Sequence, residues 1–147
     1  MADILHRVGI ASSTEAVYKA LATIDGLSHW WTGETRGDTS VGGLVHFQFG
    51  DRGFFQMKVL DSAPHEHVRW EVVDGPAEWI GTTIDFSLRQ EGDYVIVLFR
   101  HLGWRDPVEF FHHCSTKWAV FLLSLKALVE TGRGAAYPND QKIDDWN

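Results

Sequence analysis

"CSTKWAVFLLSLKALVETGRG", residues 114–134, is the most apolar part of the chain that keeps a helical repeat. From about Ser115 onward, Trp118, Phe121, Leu122, Leu125, Leu128 and Val129 recur at offsets of three, four, seven, ten and eleven, which places them on one side of a long helix. Gly132 and Gly134 end that helix, and "AAYPNDQKIDDWN" after them has the Pro, Asn and Asp content of an irregular tail from about residue 135. A stripe this apolar has to be covered by something else in the chain.

The cover lies upstream, where the period changes to two. Val45, Phe47 and Phe49 alternate with polar residues, then Phe55, Met57 and Val59 do so after the turn "GDRG", which reads as a hairpin with one buried face. Val68, Trp70 and Val72 form the next alternating run, and Ile84, Phe86 and Leu88 the one after it, with Asp85 expected to face solvent. The last strand, from Tyr94 to Leu102, presents Val95, Val97, Phe99 and His101 on one side. Earlier still, "DILHRVGI" over residues 3–10 reads as a strand. Ser12 and Glu15 then form a capping box for a helix carrying Val17, Ala20, Leu21 and Ile24, and "LSHWW" reads as a second short helix. The order is strand, two short helices, about six antiparallel strands and one long helix. It predicts an α+β protein whose curved sheet wraps the C-terminal helix.

Composition bounds the function. The 147 residues suit one domain, and no apolar run is long enough to cross a bilayer. No basic, apolar leader stands at Met1-Ala2-Asp3 and Cys114 is the single cysteine, so a cytoplasmic location is expected. A net charge of −7 disfavours nucleic acid as a partner. Aromatic residues make up 13%, with seven Trp and nine Phe, which suits a lined cavity.

Three segments carry a family resemblance along nearly the whole chain: "STEAVYKALATIDGLSHWW", the Gly42-Gly43 pair before a strand of alternating aromatics, and "HLGW" followed by "CSTKWAVFLLSLKALVETGRG". Together they resemble the SRPBCC superfamily, also termed START-like or pollen-allergen-like, in its branch similar to the activator of the heat-shock ATPase. The resemblance implies one START-like domain of helix-grip fold over residues 1–147, with a deep apolar cavity between sheet and long helix. It implies no shared catalytic triad, metal motif or cofactor. In the family pattern one indole of the Trp30-Trp31 pair plugs the core and the other borders the cavity mouth.

The expected function is therefore binding of a small hydrophobic or aromatic molecule, as a carrier, sensor or stress-related module. Residues expected to line the site are Trp31, Phe47, Phe55, Met57, Trp70, Val72, Phe86, Val97, Phe99, His101, Phe110, Cys114, Trp118 and Phe121. Two alternatives stand beside it. A cyclase- or hydrolase-type enzyme would have only His101 and Glu109 for acid–base work, and a co-chaperone-like interaction module would use exposed aromatics. The cluster of His101, Trp104, His112, His113 and Cys114 lacks metal-ligand spacing, because consecutive side chains point in different directions. Cys114 reads as sulfur packing rather than as a nucleophile. Asp106 and Glu109 fall in the connection before the long helix, and Asp140, Asp144 and Asp145 read as a solvated, self-repelling end. Val120 and Leu123 widen the helix stripe, so the pattern also admits a homodimer.

Overall fold

A computed structural model describes residues 1–147 and shows a seven-stranded antiparallel sheet with three helices. The strands are β1 (Ala2–Ile10), β2 (Glu34–Gly37), β3 (Leu44–Gln48), β4 (Phe54–Ala63), β5 (His67–Asp74), β6 (Thr83–Glu91) and β7 (Tyr94–Trp104). Helices α1 (Thr14–Ala22) and α2 (Ile24–Trp30) connect β1 to β2, and α3 (Glu109–Thr131) follows β7. Spatially the order is β1-β7-β6-β5-β4-β3-β2, so five successive hairpins run from β2 to β7 and β1 closes against the last of them. Irregularities at Ala2/Ile4, Gln56/Met57 and Val59/Asp61 interrupt the register, and such bulges bend a sheet. No helix is long and apolar enough to cross a membrane.

Alternation along the strands is realised as expected, with Phe47, Met57, Trp70, Val72, Phe86, Val97 and Phe99 buried on the face toward α3. Two local readings shift. The cap of α1 is Ser13, whose Oγ accepts from the Ala16 N–H at 3.2 Å, rather than Ser12. Ile24 opens α2 instead of extending α1, because Thr23 intervenes: its hydroxyl donates to Lys19 O at 2.7 Å and accepts from the Gly26 N–H at 3.0 Å, ending one helix and capping the next. Helix α3 also starts earlier than Ser115. Glu109 in its first turn suits the helix N-terminus, and Phe110 and Phe111 pack on Trp104 with ring centroids 6.1 and 5.2 Å away.

Two acidic readings are corrected. Asp85 does point to the face opposite α3, but it is 1% exposed rather than solvated. Its neighbours in register are Arg69 on β5 and Arg100 on β7, whose guanidinium nitrogens lie 2.9 and 3.6 Å from its carboxylate. In the tail, Asp144 and Asp145 are exposed as expected, and Asp140 is not. Asp140 is buried and paired with Lys117 and Lys142, and the Tyr137 N–H donates to Trp31 O at 2.9 Å. Gly132, at φ 84°, ends α3 in the left-handed conformation, its N–H returning to Leu128 O.

Close approach fixes the short helices. A Cβ on Gly26 would stand 2.5 Å from Ala20 Cα and 2.6 Å from Ala20 O, and that same carbonyl accepts the Trp30 indole N–H at 2.9 Å. Gly26→Ala therefore forces α1 and α2 apart and strains the Trp30 anchor. Urea unfolding is expected to show a loss of about 1–3 kcal/mol, or more if the anchor is lost. Unchanged stability would mean that the two helices separate freely.

The core also holds an ordered polar chain. Trp118 Nε1–H donates to His101 Nδ1 at 3.2 Å, which leaves the proton of a neutral imidazole on Nε2 to be donated to Thr82 Oγ1 at 2.8 Å. The Thr82 hydroxyl in turn donates to Trp79 O at 2.6 Å. Burial lowers the His101 pKa from 6.5 to about 3, in keeping with a ring whose nitrogens are both engaged in the neutral state. Between those values the unfolded chain takes up a proton that the folded chain refuses, so stability rises with pH across the window and falls on acidification. The slope at its steepest is about 1.4 kcal/mol per pH unit. Below about pH 4, protonation of the lowered carboxyls of Asp140 and Asp144 adds to the loss. Denaturant unfolding against pH is expected to show this slope in the wild type, and to show it flattened above about pH 4.5 in His101→Gln, whose amide can bridge the same partners without titrating.

Candidate functional site

One cavity of about 430 Å³ opens at the end of the grip where α3 begins, a volume within the ~300–1,000 Å³ usual for small-molecule sites. Each wall comes from a different element. Trp31 follows α2, Phe49 and Arg52 to Phe55 come from the β3–β4 turn and the start of β4, and Pro76 and Trp79 come from the β5–β6 connection. The first half of α3 contributes Phe110, His113, Cys114, Lys117, Trp118 and Phe121, and the tail contributes Trp146 and Asn147.

Of the residues expected from sequence, Trp31, Phe55, Phe110, Cys114, Trp118 and Phe121 meet on this wall. Phe47, Met57, Trp70, Val72, Phe86, Val97, Phe99 and His101 do not. They face α3 as the alternation implies, but they are packed into the core behind the cavity. Bulk explains the division: Trp70 and Phe86 have ring centroids 5.2 Å apart, Phe86 and Phe99 lie at the same distance, and Phe99 and Trp118 at 4.5 Å. Those rings leave no room over the middle of the sheet. The Trp30-Trp31 pair divides its tasks, with Trp30 sealed in the core and Trp31 forming wall, its ring 5.0 Å from Trp118 and 5.8 Å from Phe55.

Several wall residues escaped the sequence reading. Trp79 stacks on Phe55 with centroids 3.9 Å apart and reaches Trp118 at 5.9 Å. It sits in a connection, where alternation gives no signal; a lone Trp between turn residues was the available clue. Its Nε1 is buried without a hydrogen-bond partner. Trp146 comes from the tail and packs on His113 and Phe110 at 5.4 and 6.4 Å.

The wall offers little for acid–base or nucleophilic chemistry. Burial pushes the Cys114 thiol up to about 12, the nearby Trp79 indole opposing this only in part and Glu78 adding to it, so the thiolate is absent at neutral pH. His101 lies outside the wall, and Glu109 faces a separate surface hollow with His112 and Asp145. No group of three His, Cys, Asp or Glu side chains is arranged to hold a metal ion. At the rim, Lys117 is held by Asp140 and by Gln141 O at 2.9 Å, and His113 pairs with Asp144 at 2.7 Å. Burial alone would raise the Asp140 pKa, yet the Lys117 and Lys142 ammonium groups hold it below the usual carboxylate value. The hydrogen bond from His113 lowers Asp144 likewise.

Comparison with known proteins places these features in a family. The solution structure of the Aha1 dimer from Colwellia psychrerythraea is 42% identical, covers 91% of this chain and all of its own, and superposes with a TM-score of 0.84. More distant structures share the fold alone. MLL2253 from Mesorhizobium loti has a TM-score of 0.77 at 16% identity, covering 87% of this chain and 96% of that one. CalU16 from Micromonospora echinospora has a TM-score of 0.73 at 16% identity, covering 86% and 73%. No curated protein matches the sequence. The family model for Activator of Hsp90 ATPase homolog 1-like proteins matches residues 11–130, from the loop before α1 to the last turn of α3, and the chain belongs to that family.

Proposed function

We propose that the protein binds a small apolar, aromatic molecule in the cavity at the start of α3. The observation that carries this reading is the cavity itself, about 430 Å³ of space walled by Trp31, Phe55, Trp79, Phe110, Trp118 and Phe121. A small domain with seven Trp has the bulk to fill such a space, and here it stays open. Ring faces suit a flat guest, because offset stacking adds about 0.5–1.5 kcal/mol per aromatic pair beyond area burial. The reading is one of binding without chemistry, supported by a Cys114 that carries its proton and by a wall without Asp or Glu.

The neutral dye Nile red is expected to bind the folded protein saturably and to be displaced by naphthalenemethanol. Cys114→Phe, which places a ring in the space, is expected to abolish binding while near-ultraviolet circular dichroism shows an intact core. Absence of saturable binding to the folded wild type would overturn the reading.

The Colwellia relative is described as a dimer, and its 42% identity supports a second copy as a partner here. Leu123, 56% exposed on α3, is the apolar residue of that helix left for such a contact. Sedimentation equilibrium is expected to give a dimer for the wild type and a monomer for Leu123→Glu. A wild-type monomer at all concentrations would refute the assembly.

A further inference from the structure

The cavity wall carries an electrostatic asymmetry that its apolar character does not explain. Arg52, His113 and Lys117 line it, and no Asp or Glu does, in a chain whose net charge is −7. Two of these side chains already have carboxylate partners: Lys117 has Asp140, and His113 has Asp144. Arg52 is different. It stands at the end of the short helical turn Gly50–Arg52, and its Nη1 donates to the backbone carbonyl of Trp146, with no carboxylate paired to it. A carbonyl carries a partial charge, so it satisfies a donor of the guanidinium without neutralising the cation. The result is an exposed planar guanidinium, without a carboxylate partner, at the edge of an aromatic-walled space.

We propose that the cavity is built for an aryl carboxylate. Its ring system lies among Trp31, Phe55, Trp79 and Trp118, and its carboxylate takes the place of the Trp146 carbonyl on Arg52. This rests on the binding reading above and specifies its ligand class. Arg suits the task because its fork of donors matches both oxygens of a carboxylate at once. A neutral aromatic would gain the same wall contacts and leave the cation unmatched, and an arylalkyl ammonium would add repulsion from Arg52. The Trp146 carbonyl already marks where an acceptor oxygen sits.

Isothermal titration with naphthoate and its neutral isostere naphthamide separates the two contributions, with Nile red binding as the measure of the apolar site. The wild type is expected to bind naphthoate at least about five-fold more tightly than naphthamide, the preference shrinking as salt is added. In Arg52→Gln the naphthoate affinity is expected to fall to that of naphthamide, so that the ratio of the two, measured on the same variant, converges to about one. Equal affinities in the wild type, or a preference for naphthoate that survives Arg52→Gln, would overturn the carboxylate assignment and leave the apolar reading standing. Failure of naphthoate, naphthamide and Nile red alike would overturn both.

Discussion

Trp118 stands where the filled part of the grip meets its open part, and much of the arrangement depends on how that one indole is held. Its N–H is committed to His101 on β7, its ring lies 4.5 Å from Phe99 and 5.0 Å from Trp31, and Trp79 stacks at 5.9 Å from the other connection. Helix α3 is thereby tied to the sheet, to the end of α2 and to the β5–β6 connection through a single side chain. An indole can do this because it is large, flat and carries one directed donor. Phenylalanine would keep the packing and leave His101 Nδ1 without its proton donor in a place water does not reach.

The position of the cavity follows from what lies on either side of that residue. Behind it, the inward residues of β5, β6 and β7 are rings or branched chains, and α3 answers with Leu122 and Leu125, both fully buried. In front of it, the wall includes Cys114, Gly53 and Pro76, all too small to reach across. A core packed to ordinary density must change from filled to open somewhere, and here it does so where small residues face the first two turns of α3. The earlier start of α3 at Glu109 is part of the same arrangement, because those added turns bring Phe110, His113 and Cys114 to the wall.

How much of this was legible in the sequence varies with the kind of order involved. The strands from β3 to β7 and the long helix were readable because each repeats a buried face at a fixed period, and a period survives without knowledge of partners. A smaller part of the cavity wall was readable for the same reason: Phe55, Trp118 and Phe121 lie on periodic elements whose inward face the pattern shows. Inward-facing and cavity-lining are nevertheless different properties. Trp70, Phe86 and Phe99 share the inward face with Phe55, and only the mutual packing of their rings decides which side of Trp118 each one serves. Trp79 and Trp146 sit on aperiodic segments. Asp85 was misjudged because its exposure depends on cross-strand neighbours, which require register and not merely alternation.

The tail shows why an acidic, irregular segment need not be loose. Asp140 supplies a buried carboxylate to Lys117, an amine on the inward half of α3 that would otherwise be desolvated without a counter-charge. Lys142 covers the same carboxylate from the solvent side, and Tyr137 joins the strip of chain after α2 through bonds to Trp31 and Gly33. Two of the three tail carboxylates, Asp140 and Asp144, are thus each met by a side chain that the helix brings, Lys117 and His113. Because the same two side chains lie on the cavity wall, the tail meets the rim with carboxylates at Lys117 and His113, and with a peptide oxygen at Arg52. That Arg52 meets a carbonyl rather than a carboxylate at the mouth is therefore a consequence of how the tail is docked.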